Sequence, residues 1–76
     1  MWIRSQNRMQ LQDVNRFVIE QFETGIYIVG NGCTLGIYST KEKALEVLDQ
    51  IQDNMESFEH EPTMVFQMPG DEDVEV

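Results

Sequence analysis

The side chains able to do chemistry in this 76-residue sequence are few and scattered. A single cysteine, Cys33, and a single histidine, His60, are present. A cysteine nucleophile needs a base to lower its pKa and a further group to orient that base. His60 sits in Glu59-His60-Glu61, where flanking carboxylates favour imidazolium and oppose a base role. Cys33 follows a turn motif and reads as a half-buried strand residue, with a Cys–His pair as the competing reading. Three consecutive residues such as Glu59-His60-Glu61 rarely all face one ion, and no second cluster completes a shell. The acids Asp71, Glu72, Asp73 and Glu75 lack the glycine and spacing of a calcium loop. No metal and no cofactor is therefore expected. Carboxylates are plentiful, but none lies in an apolar context that would raise its pKa for proton transfer, so enzymatic activity is not expected.

Two weaker constellations concern binding. Gly30-Asn31-Gly32 with Gly36 faintly resembles a phosphate loop, but that loop requires a strand before it and a helix after it. These glycines join two strands and mark a turn. The predicted helix start at Ser39, Thr40 and Lys41 is the better anion site, since free backbone N–H groups converge there. Together with Arg4, Arg8 and Arg16 it forms one candidate ligand-binding set, although Ser39 is also suited to capping. Trp2, Tyr27 and Tyr38 are of the types enriched at binding hot spots, yet in so small a domain most aromatics also serve the core.

Charge narrows the partner class. Residues 1–40 carry Arg4, Arg8 and Arg16 against Asp13, Glu20 and Glu23 and are neutral, so the net charge of −9 falls on residues 41–76. There Lys41 and Lys43 face eleven acids. A field concentrated on one part of a surface selects partners and repels nucleic acid. Direct nucleic-acid binding is not expected.

The elements that position these residues follow from periodicity. Met1 to Ser5 and Met9 to Gln12 alternate as short strands, the second predicted to be half buried through Met9 and Leu11. Phe17 to Phe22 and Ile26 to Val29 are rich in β-branched and aromatic residues, with a turn at Thr24-Gly25. Gly30-Asn31-Gly32 supplies a tight hairpin, and Thr34 to Tyr38 returns. The period then changes to 3.6. Ser39 with Glu42 fits a capping box, and Ala44, Leu48, Ile51, Met55 and Phe58 form a stripe widened by Leu45 and Val47. A helix is predicted from about Thr40 to Phe58, its other face solvated and acidic. Pro62 stops it, and Met64 to Met68 reads as a last strand able to return beside the first.

The fold class is therefore α+β: an antiparallel β-meander with one amphipathic helix packed across it and a final short strand. Residues 1–69 make one small domain and residues 70–76 an acidic tail expected to be flexible. Small domains need tight packing, disulfides, metals or self-association. With one cysteine and one histidine, packing and a homodimer remain. No stretch approaches the roughly 20 apolar residues of a membrane span, and the N-terminus lacks a signal core, so a soluble cytoplasmic protein is expected.

Some segments match a known group. The opening Met1-Trp2-Ile3-Arg4-Ser5-Gln6, the segment from Leu35-Gly36-Ile37-Tyr38-Ser39-Thr40 through Ala44-Leu45-Glu46-Val47-Leu48, and Gln67-Met68-Pro69 before an acidic end resemble very small uncharacterised proteins of Gram-positive bacteria and their phages. The resemblance implies a phage or mobile-element setting and an accessory role, with no catalytic residues to transfer. Size, charge and resemblance lead to the expectation of a non-enzymatic protein that binds and modulates a host or defence protein. Its contact face would be the acidic helix face, Glu42, Glu46, Asp49, Asp53 and Glu56. The alternative is a homo-oligomer sequestering a nucleotide or other small anion through Arg4, Arg8, Arg16, Ser39, Thr40 and Lys41.

Overall fold

A computed structural model of the chain describes residues 1–56 and 65–76. The predicted Phe58, the Glu59-His60-Glu61 cluster, Pro62 and Met64 lie outside those residues. The architecture is α+β. Strands β1 (Trp2–Arg4), β2 (Leu11–Asp13), β3 (Phe17–Phe22), β4 (Gly25–Gly30) and β5 (Cys33–Tyr38) precede helix α1 (Lys41–Glu56) and strand β6 (Val65–Gln67).

β3, β4 and β5 form the antiparallel meander. At the β4–β5 turn Asn31 and Gly32 both take positive φ, 50° and 84°, the conformation that matches a two-residue hairpin to the twist of its strands. A register shift beside Ile28 and Val29 makes room for an extra residue in β5. The remaining strands form a second sheet in the order β2-β1-β6. There β6 returns parallel to β1, with Ile3 opposite Phe66, so the last strand closes beside the first.

Gln6 stitches the two sheets together. Its backbone N–H donates to Leu35 O at 2.7 Å, its Oε1 accepts from Ile37 N at 2.9 Å and its Nε2 donates to Ile37 O at 3.0 Å. One side-chain amide thus imitates a neighbouring strand along the open edge of β5. The same Nε2 reaches Pro69 O at 3.2 Å.

The core lies between the helix and the strands. Ile28, Leu35 and Tyr38 of the meander meet Ala44, Val47 and Ile51 of α1, while Ile3, Val14, Met68 and Val74 close the ends. Burial of this apolar surface is the main stabilising term. The helix is rotated relative to its predicted stripe: Ala44, Val47 and Ile51 are buried, Leu48 is half-buried, and Leu45 and Met55 are exposed. The helix packs on β4 and β5, and Leu48 and Met55 border a shallow depression beside Phe17 of β3.

Three further expectations are corrected. Met9 and Leu11 point outward, 81% and 55% exposed. The turn closed by Ser5 N–H to Gln10 O and Arg8 N–H to Ser5 O carries Met9 off the sheet, and Leu11 pairs with the outward-facing Arg4. The helix cap is Thr40, whose Oγ1 accepts from Lys43 N at 3.2 Å, rather than Ser39. Residues 70–76 do not extend as a free tail. Asp71–Asp73 forms a 3-10 turn and Val74 is buried in the core, because Asp71 finds donors at the start of α1.

Candidate functional site

The five acids on the helix form one line. Glu42, Glu46, Asp49, Asp53 and Glu56 recur at spacings of four, three, four and three. At 3.6 residues per turn they share an arc of about 80° and run for about 21 Å. The buried Ala44, Val47 and Ile51 occupy the opposite arc. Like charges three or four residues apart each cost a helix a few tenths of a kcal/mol. Glu42 gains from the helix dipole in the first turn, and the other four have no ion pair among the described residues. Among the described residues the ion pairs are the Met1 amino group with Asp13 at 2.8 Å and Lys43 with Asp71 at 3.6 Å, and neither reaches this stripe. Glu56 accepts one hydrogen bond from Gln52 Nε2 at 3.1 Å.

The approach to α1 is tied to the chain end. Asp71 Oδ1 accepts from Ser39 N at 2.8 Å and from Ser39 Oγ at 3.1 Å. Lys43 Nζ donates to Asp71 O at 2.9 Å. The Ser39 backbone N–H, followed by the Ser39 hydroxyl and Lys43, holds the Asp71 carboxyl below its usual range against the opposing effect of desolvation. A carboxylate from the chain itself, that of Asp71, therefore takes up the donors of Ser39, just before the first turn of α1. This residue was missed in the sequence because its partners lie 32 residues away, with no local spacing to announce it.

The alternative ligand set is not gathered into one place. Arg4 and Arg8 share the β1–β2 turn, where Arg4 Nε donates to Arg8 O at 3.2 Å. Arg16 lines a depression of about 350 Å³ near the hairpin tip with Val18, Glu20, Val29, Asn31 and Gly32. Ser39 is bonded to Asp71, Thr40 caps the helix and Lys41 is exposed. Cys33 is half-buried and pairs with Gly30 across the meander. Among the described residues no group of three or more His, Cys, Asp or Glu side chains is placed to hold a metal ion. No described helix is long and apolar enough to cross a membrane.

A second surface went unread in the sequence. The meander face away from the helix carries Val18, Phe22, Tyr27, Val29 and Ile37, with Val18, Phe22 and Ile37 exposed. Phe22 meets Tyr27 edge-on with ring centres 4.9 Å apart, and the Tyr27 hydroxyl shares a 2.8 Å hydrogen bond with Thr24 Oγ1. The signal was the unbroken apolar run Ile26-Tyr27-Ile28-Val29, which is apolar toward both faces. Among the described residues the one α-helix covers only one of those faces.

Comparison with protein-family models, with curated proteins and with solved structures finds no match.

Proposed function

We propose that this chain acts by binding, as a small non-enzymatic protein whose acidic helix stripe docks on a basic surface of a host or defence protein and modulates it in the cytoplasm. The observation that carries the reading is the stripe itself: five carboxylates on one arc, with no counter-charge from the described residues. A merely solvated helix face gains stability from lysines interspersed at four-residue spacing, and this one forgoes them. Such a field steers encounter and selects complementary partners. The resemblance to small proteins of Gram-positive bacteria and their phages supports an accessory role against a host component.

The test compares the tagged chain with a variant carrying E42Q, E46Q, D49N, D53N and E56Q, both confirmed folded by circular dichroism. Each captures proteins from a Gram-positive lysate at low salt. The reading expects proteins that the original chain retains, the neutral variant loses and salt elutes. A set retained equally by both variants contradicts it. Sequestration of a nucleotide is the competing reading. Its residues are not gathered into one place and Ser39 is already bonded to Asp71, so a thermal-shift screen against nucleotides is expected to show no rise in melting temperature.

A further inference from the structure

We propose that two copies of this chain join edge to edge through β3, antiparallel, extending the meander into a continuous six-stranded sheet with both helices on one face. The argument begins with the edges. β2 and β6 are three residues long, and the end of β2 is held by Asn31 Nδ2 donating to Asp13 O at 2.9 Å. The open side of β5 is met by the backbone and side chain of Gln6. β3 is different. It runs for six residues, about 20 Å. Among the described residues no strand lies on its outer side. Its guards against pairing are few: one charge, Glu20, with no proline or lysine and a regular register with β4.

Charge then selects the second copy and its register. A two-fold axis perpendicular to the sheet keeps like faces together, so Phe17 and Ile19 stay on the helix side and Arg16, Val18 and Glu20 on the other. Registers centred on Glu20 or Ile19 overlap five of the six strand residues, and one centred on Val18 overlaps three and brings in Arg16 just before the strand. The first sets two Glu20 carboxylates directly opposite each other, which is repulsive. The second sets Val18 against Glu20 and Arg16 against Phe22. The third sets Arg16 against Glu20 of the second copy, twice over, with Val18 on Val18 at the axis and Phe17 beside Ile19. The strand is self-complementary in that register alone. Four residues separate Arg16 from Glu20 along one extended strand, so within a single copy they do not pair.

An interface of one strand pair is small, and the dimer is expected to dissociate on dilution. This contact lies on a different element from the acidic stripe, so it stands or falls independently of the partner-binding reading. The test is sedimentation equilibrium from about 10 to about 500 µM on the original chain, R16E, E20R and the swap R16E/E20R. Arg16 and Glu20 are exposed, and circular dichroism verifies folding of each variant. The original chain is expected to dimerise, each single reversal to raise the dissociation constant about tenfold or more, and the swap to restore it. A chain monomeric throughout, reversals without effect, or a swap that fails to restore dimerisation overturns the proposal.

Discussion

The helix side and the far side of the meander are built by opposite rules. The helix carries like charges in a line and tolerates their mutual repulsion. The far side is electrically mixed, with Arg16 and Glu20 set among Val18, Val29, Phe22 and Tyr27. A line of charge acts at a distance, is screened by salt and admits many shapes of basic partner. An apolar strand edge acts only on contact and demands a register. One core, with ten buried apolar residues among those described, supports both surfaces.

That shared support can be broken most severely at Ile51, which the helix presses onto the sheet at 2% exposure. Ile51→Ala is expected to cost about 2–5 kcal/mol, with helix circular dichroism and aromatic fluorescence lost in one urea transition. Two separate transitions would mean that the faces do not share a core. Gly30→Ala is expected to cost about 1–3 kcal/mol by crowding, because a Cβ there would lie 2.6 Å from Val14 Cγ1 and 2.7 Å from Leu35 Cδ1. Unchanged stability would show that the seam between the two sheets is loose.

Smaller effects sharpen the comparison at its hinge, where Tyr38 and Asp71 join meander, helix and chain end. The Tyr38 hydroxyl donates to Pro69 O at 2.7 Å, and Tyr38→Phe is expected to cost about 1 kcal/mol. Burial, and secondarily the Asp71 charge, raise the Tyr38 pKa above its ordinary 10.0. Its contribution is therefore complete below pH 10.0 and lost as pH rises toward the folded value, so Tyr38→Phe should flatten the alkaline limb of stability against pH. Asp71 behaves oppositely. Its lowered pKa means its contribution is present above the ordinary carboxylate range and lost as pH falls through the folded value. Acid titration should release the 3-10 turn before the core opens, and Asp71→Asn should remove that step. The smallest effect belongs to the stripe, where Asp49→Asn is expected to raise stability by a few tenths of a kcal/mol through relief of repulsion. A loss would mean that Asp49 has a local partner.

The sequence made some features plain and concealed others for physical reasons. The period-two runs, Asn31-Gly32 and the change to a 3.6 period disclosed the meander, its turn and the helix, because each is a local preference. The acids Glu42 to Glu56 were visible as a polar face for the same reason. Gln6 beside Ile37 and Asp71 beside Ser39 were hidden, since they join residues 31 and 32 positions apart and no local pattern encodes such contacts. Thr40 and Ser39 both qualify as caps by type, and only the docking of Asp71 onto Ser39 decides between them. The rotation of α1 toward Val47 likewise depends on how the helix docks on β4 and β5, and Met9 was misplaced because Arg8 adopts positive φ, 67°, in the preceding turn.

The most direct test of the partner-binding account is the affinity between this chain and a protein captured through the stripe, measured as salt rises from about 50 to about 500 mM. The account predicts a loss of about tenfold or more over that range, and little salt dependence for the variant neutralised at all five acids. An affinity of the original chain that holds constant across the range would contradict it, and would move the contact to the apolar face of the meander.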